Sequence, residues 1–278
     1  MVSNDYVGGA NSRNRTDLEP FFYETGAPLS AHLHYHHEMS YTGKSIDKIA
    51  FASFTAPQDP IRGATYLCDC KGMTKALLKT ELGQKLKELG VCYHRNLTDR
   101  QGNYTPTQNA QVYNHWQQSF GTECPQEAQR IAEKCGLQVD WGVDYAGNDR
   151  YMLTKYFAEA YEYAPNMDMN VIYSTIADHF SWFDTWPGVR DLQPIDRPIK
   201  MTYGDLSPIT WDDWKLWIEL SDEYGFPVQW KQGDAVIVCN YRFAHGRPAI
   251  ELQPGEQREL GVVLGTFYDR VGVLPDKY

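Results

Sequence analysis

The seven residues His32-Leu33-His34-Tyr35-His36-His37-Glu38 constrain this chain more than any other stretch. Four imidazoles and a carboxylate set so close together do not read as packing. Flanking Tyr35 and Tyr41 and the apolar run from Ile49 to Phe54 read as strand, with a turn at Thr42-Gly43. On a strand, side chains at i and i+2 share a face. That spacing puts His32, His34, His36 and Glu38 on one side and His37 on the other. Two imidazoles, or an imidazole and a carboxylate, two positions apart can reach one divalent ion. A third ligand from a distant strand would complete a facial set with open positions.

A chain of 278 residues that is 42% apolar and 14% aromatic can bury a sizeable core. The expectation is one domain over 1–278, with a helical insertion over roughly 74–225. The net charge of −10 argues against a general nucleic-acid or anionic-membrane surface. No apolar run approaches the roughly 20 residues of a membrane span. The expected partner is therefore a small molecule, and an acidic one would need its own Arg or Lys. Cys68, Cys70, Cys92, Cys124, Cys135 and Cys239 form no C-x-x-C pair and read as reduced thiols. Residues 1–14 are polar and Gly-rich, without the apolar stretch of a signal peptide. Together these features point to the cytoplasm.

Along the chain, strands are expected over 49–56, 64–67, 91–97, 137–141, 150–157, 170–176, 228–230, 235–240 and 258–268. Thr74 is expected to cap a single helix to about Leu89, with Leu77, Leu78, Leu82, Leu86 and Leu89 at helical spacing and Gly90 as its stop. Residues 116–120 read as a helical turn, and Pro125 opens a helix that Gly136 closes. Thr210-Trp211-Asp212-Asp213 starts a helix with a capping box. Residues 98–112 read as a long loop, and 181–206, with three prolines, as irregular. Many short strands at both ends with helices between them predict a mainly β fold with added helices (α+β), a jelly-roll or barrel.

The last block supplies the distant ligand. Gly233-Asp234 makes a tight turn, Ala235 to Asn240 reads as a buried strand, and Phe243-Ala244-His245-Gly246-Arg247 follows, with Arg258 thirteen residues past His245. His36-His37-Glu38-Met39-Ser40-Tyr41, then Gly63-Ala64-Thr65, then Gly233-Asp234 through His245-Gly246-Arg247 to Arg258, resembles the taurine dioxygenase/clavaminate synthase-like family of Fe(II)/2-oxoglutarate-dependent oxygenases. The order of these blocks matches from about Gly8 to Leu264.

The resemblance implies a double-stranded β-helix. It implies that His36, Glu38 and His245 hold Fe(II), and that Arg258 and Thr65 hold the far carboxylate of 2-oxoglutarate. An Arg fork grips a carboxylate bidentately, with a geometry Lys does not reproduce. With O2, such a centre oxidises an unactivated C–H of a small polar, amino-acid-like or carboxylic acid metabolite and releases succinate and CO2. Glu38 favours hydroxylation, desaturation or oxidative ring closure over halogenation, because halogenating relatives lack the carboxylate. Arg13 and Arg15 fall in the family's upstream block, and Arg242 lies near the distal His, so all three are candidates for a substrate acid.

Two other readings compete. Gly26, His32, His34 and Glu38 fit the first motif of a cupin-type metal isomerase or oxidase, with His245 as fourth ligand. Phe243-Ala244 before His245 and Ala249 after it do not fit the second motif, and Arg258 has no role there. The chain could also be a non-catalytic metal-binding barrel that serves as a sensor. Taken singly, His32 and His34 read as spare, His37 as a surface or satisfied polar residue, and Thr65 by default as a β-branched packer. Arg247 reads as structural or salt-bridged, and Asn240 as either packing or substrate contact.

Overall fold

The computed structural model describes residues 28–104, 115–174 and 196–270, together with Thr16 and 21–23. Strands are numbered along the chain. One four-stranded sheet runs in the order β1 (Phe22–Tyr23), β15 (Glu259–Leu264), β4 (Lys48–Thr55), β13 (Ala235–Cys239). A second runs β12 (Gly225–Val228), β5 (Thr65–Asp69), β14 (Phe243–Arg247), β2 (Leu33–His36). All pairings within both are antiparallel. Neighbours in the sheets come from opposite ends of the chain, as in a double-stranded β-helix, and that is the fold.

Alternation explains why these segments pair as they do. On β4, Ile49, Phe51 and Ser53 are buried while Lys48 is exposed. Val238 of β13 and Leu260, Val262 and Leu264 of β15 join Ile49 and Phe51 in one apolar cluster, which Leu67 of β5 and Trp230 complete from the other side. That cluster fills the space between the two sheets. Period-2 burial of this kind fixes register, since a one-residue slip would turn every apolar side chain to the wrong face.

The other face of the second sheet carries a larger core. Tyr35, Cys68 and Ala244 pack there with α1 (Cys70–Leu77), α2 (Glu81–Leu89), the helices Trp116–Phe120, Pro125–Lys134 and Trp211–Glu223, and a third sheet. That sheet runs β11 (Ile199–Tyr203), β6 (Val91–Leu97), β8 (Tyr151–Ala158), β7 (Gln138–Gly142). Two ribbons complete the description: β9 (Tyr161–Ala164) with β10 (Met169–Ile172), and β3 (Lys44–Ile46) with β16 (Phe267–Asp269).

Several expectations need correction. The helix expected from Thr74 to Leu89 is two helices. Asp69 caps α1 by accepting from Lys71 N–H, and Thr80 caps α2 by accepting from Gly83 N–H. Leucine spacing carries on across the corner, so periodicity held no sign of it. Thr74 lies inside α1, where its hydroxyl donates to Cys70 O at 2.6 Å and accepts from Ile172 N–H at 2.8 Å. β11 falls in the stretch read as irregular. Its Ile199, Met201 and Tyr203 are buried at period 2, a signal hidden behind Pro194 and Pro198. The strand through the histidine-rich stretch ends at His36, so Glu38 is not on it; Glu38 lies in the turn that follows, beside Met39 at φ 59°.

Candidate metal centre

Sheet register brings the site together. His245 on β14 lies opposite His36 on β2 on one side and Leu67 on β5 on the other. Directly opposed residues share a face, and Leu67 belongs to the cluster between the sheets. His36 and His245 therefore point into the sandwich, with ring centroids 4.3 Å apart and Phe51 of the facing sheet edge-on to His245 at 5.3 Å. Glu38 reaches the same point from its turn: its Oε2 lies 3.7 Å from His245 Nε2. One ligand atom from each of His36, Glu38 and His245 lies within 4.8 Å of the others, and no other group of this kind occurs among the described residues.

The donor set suits a divalent transition metal. Two imidazoles and one carboxylate with open positions is the facial arrangement of non-heme iron. Donors on one face of a metal with bonds of roughly 2.0–2.2 Å stand about 3 Å apart, so closing on an ion from within 4.8 Å of one another asks for side-chain movements of about 1–2 Å. His36 Nδ1 lies 2.8 Å from His34 O. Donation to that carbonyl leaves Nε2 as the ligating nitrogen and fixes the ring, the outer-shell device that metal-bound histidines use. Glu38 is 3% exposed. Burying a carboxylate is costly unless a cation or hydrogen bonds answer it, and a bound divalent ion would supply that charge.

A second polar group stands two residues along β5. Thr65 is buried and shares its face with Leu67. Its Oγ1 accepts from Trp230 Nε1–H at 3.0 Å and lies 3.3 Å from Arg258 Nη2. Arg258 Nε–H donates to Gly63 O at 2.8 Å, which anchors the stem of the guanidinium. Two strand residues rise roughly 6.6 Å, so the Thr65–Arg258 pair stands about that far along the inner face from the His245 row.

The remaining candidates divide. His32 and His34 stack on each other at 4.0 Å, and His34 meets Trp214 edge-on at 6.3 Å, on the helical side of the sheet. Burial lowers the pKa of both, His34 to about 3, so the His34 ring is packed neutral. They do not converge with Glu38, and the cupin-type set of His32, His34 and Glu38 is not assembled; Gly26 of that motif, like Arg13 and Arg15, lies outside the described residues. His37, expected at the surface or as a satisfied polar group, is buried and stacks on Tyr173 at 4.3 Å. Arg242 forks onto Asp69, with Nε–H to Oδ1 at 3.2 Å and Nη2–H to Oδ2 at 3.0 Å. Arg247 is structural, donating to the carbonyls of Pro28, Leu29 and Ala31.

Three residues of the site had escaped a role. Trp230 holds Thr65, and Asn240 holds the Glu38 turn. Gly246 lies against a β-bulge, where β2 sets two residues, His34 and Tyr35, opposite this one between the Leu33–Arg247 and His36–His245 pairs. A Cβ at Gly246 would stand 2.5 Å from Leu33 O and 2.8 Å from His34 C. The bulge breaks strand alternation, which turns His34 to the helices and leaves His36 facing the metal position.

A sandwich of two antiparallel sheets with a two-imidazole, one-carboxylate cluster on its inner face defines a jelly-roll of the non-heme metal type. The sequence places it further: residues 6–264 match the family model of taurine catabolism dioxygenases, the TauD, TfdA family, and the chain belongs to that family. Members are 2-oxoglutarate-dependent non-heme iron oxygenases, so Fe(II), 2-oxoglutarate and O2 are the cofactors membership implies. Among solved structures, the PvcB protein of Pseudomonas aeruginosa is similar at 10% identity and TM-score 0.46, over 92% of this chain and 66% of its own. A taurine dioxygenase from Burkholderia xenovorans is similar at 12% and 0.46, over 98% and 70%. A putative α-ketoglutarate-dependent 2,4-D dioxygenase from the same organism is similar at 16% and 0.43, over 85% and 67%. The chain thus spans about two thirds of the length of these proteins. No curated protein matches it.

Proposed function

We propose that the protein is an Fe(II)- and 2-oxoglutarate-dependent dioxygenase. Its substrate is a small polar, amino-acid-like or carboxylic acid metabolite, oxidised at an unactivated C–H by hydroxylation, desaturation or oxidative cyclisation. The observation that carries this reading is the register that faces His36 with His245 while Glu38 closes on His245 from the turn. His36, Glu38 and His245 would hold the iron; Arg258 and Thr65 would hold the far carboxylate of 2-oxoglutarate. Iron with bound 2-oxoglutarate supplies the oxidising power from O2, with succinate and CO2 as by-products.

The chain's own residues orient and enclose. Arg258, pinned by Gly63 O, presents its fork beside the Thr65 hydroxyl, and Trp230 sets that hydroxyl by donating to it. Leu67, Phe51 and Met39 wall the ligand cluster with apolar surface, which excludes water and strengthens each charge–charge contact there. Arg242 is taken up by Asp69, so Arg13 and Arg15 are the stronger candidates for a substrate acid. Residues 1–278 act as one oxygenase domain, with the elements between about 74 and 225 inserted into the jelly-roll. Among the described residues no helix is long and apolar enough to cross a membrane, and all six cysteines are free. A reducing, cytoplasmic setting accords with both.

Anaerobic addition of 2-oxoglutarate to the Fe(II)-loaded protein tests the centre. A weak visible charge-transfer band is the expected result, and its absence would count against the reading. Succinate release screened over amino acids and N-substituted amino acids then separates catalysis from sensing, with mass spectrometry telling an added oxygen from two lost hydrogens. Arg258→Lys should raise the Michaelis constant for 2-oxoglutarate by roughly ten- to a hundredfold, the worth of a charged hydrogen bond; an unchanged constant would remove Arg258 from that role.

A further inference from the structure

Asn240 follows directly on β13 and is fully buried. Its carboxamide grips one residue from both sides. Oδ1 accepts from Glu38 N–H at 3.0 Å, and Nδ2–H donates to Glu38 O at 3.1 Å. The same Nδ2 reaches Ile46 O at 3.1 Å and Tyr173 OH at 2.6 Å. Ser45 Oγ and Tyr173 OH lie 3.0 and 3.3 Å from Glu38 O and within bonding distance of each other, so their two protons are shared between that carbonyl and the contact between the hydroxyls.

This grip answers a difficulty set by the fold. β2 ends at His36, so Glu38 has no neighbouring strand to satisfy its backbone. Buried peptide groups must nevertheless be paired. The next residue, Met39, is held at φ 59°, a conformation that costs a non-Gly residue roughly 1–2 kcal/mol and persists only when its surroundings enforce it. A side-chain amide that pairs with N–H and C=O of a single residue does what a strand partner would do, at the point where the strand has stopped.

We propose that Asn240 is a positioning residue for the metal centre. It acts through Glu38, locking the turn so that the carboxylate meets His36 and His245. The inference rests on Glu38 being a ligand, and its test separates the two claims. The full-length metal-free protein is titrated anaerobically with Fe(II), and with Co(II) as a spectroscopic stand-in. Asn240→Asp keeps an acceptor for Glu38 N–H but replaces the donor to Glu38 O with an oxygen. Its metal affinity should fall by at least roughly tenfold, the usual cost of losing an outer-shell partner, and the Co(II) visible spectrum should change shape. Ser45→Ala removes a lesser donor to the same carbonyl and should weaken binding by about two- to fivefold; it carries the test if Asn240→Asp does not fold. Thr210→Ala, which loses the cap of the Trp211–Glu223 helix, should unfold at lower urea than the parent and bind metal as the parent does. Parent-like affinity and spectrum in both Asn240→Asp and Ser45→Ala would overturn the proposal, as would an equal loss in Thr210→Ala. Parent-like affinity in Glu38→Ala would instead overturn the ligand assignment itself.

Discussion

Two pairs of imidazoles lie within one stretch of this fold and have opposite fates. His32 and His34 stack nearly parallel, 18° between planes at 4.0 Å. His36 and His245 are tilted by 52° at 4.3 Å. The spacing is alike; the surroundings are not. The first pair lies toward the helices, where burial lowers both pKa values and the Arg247 charge lowers that of His32 further. The second lies between the sheets with the Glu38 carboxylate 3.7 Å from His245 Nε2. In the proposed site an imidazole pair serves as a ligand pair because the backbone delivers an anion to it, and a bulge and a turn make that delivery.

Removing the anion should erase the difference between the pairs, with the largest effect. Glu38→Ala leaves the two imidazoles on the inner face and takes away the carboxylate donor. Fe(II) affinity should drop by more than roughly a hundredfold, about 3 kcal/mol, since a carboxylate ligand and its charge are lost together. Succinate release should vanish with it. Calorimetric titration of Fe(II) into the anaerobic protein measures the first, and a parent-like isotherm would remove Glu38 from the site.

Forcing the bulge attacks both pairs at once. In Gly246→Ala the new methyl meets the Leu33 and His34 backbone rather than flexible side-chain ends. Overpacking of that kind costs about 2–3 kcal/mol, and urea unfolding of the metal-free protein should show it. Since β14 must move off β2, the His36–His245 pairing should loosen and Fe(II) affinity fall as well. A variant that keeps both stability and affinity would show that the bulge does not set the register.

Much of this was legible in the sequence. The family resemblance singled out His36, Glu38 and His245, where strand spacing alone left His32 and His34 open beside them, and β6 and the capping box at Thr210 could be read from periodicity and cap chemistry. The geometry that makes the three residues converge could not. Strand alternation would line up His32, His34, His36 and Glu38, and the bulge and the early end of β2 defeat it, because both depend on what lies across the sheet. Asn240 was visible only as a polar residue near His245; its role depends on Glu38, about two hundred positions away. The break before Thr80 was hidden because the same leucine spacing serves both helices. Gly83 marks it only in three dimensions, where a Cβ would stand 1.9 Å from Leu77 O.

The smallest effect sharpens the comparison through pH, on the pair that is not a site. Burial first, and the charges of His32 and His36 next, lower the folded-state pKa of His34 from 6.5 to about 3. Between those values the unfolded chain takes up a proton that the folded chain refuses. Its contribution to stability is therefore fully present above pH 6.5 and is lost progressively as pH falls toward about 3. At about pH 5 the loss should approach 2 kcal/mol, an order-of-magnitude figure. His34→Gln holds a neutral side chain at every pH and should lose that much less stability than the parent between about pH 7.5 and about pH 5. All other ionisable groups are common to both proteins, so the difference reports His34 together with its coupling to His32 and His36. Denaturant unfolding of the two metal-free proteins at both pH values measures it. Parallel losses would mean that the His34 ring accepts a proton in place, and that this second imidazole pair differs from the ligand pair by less than its burial indicates.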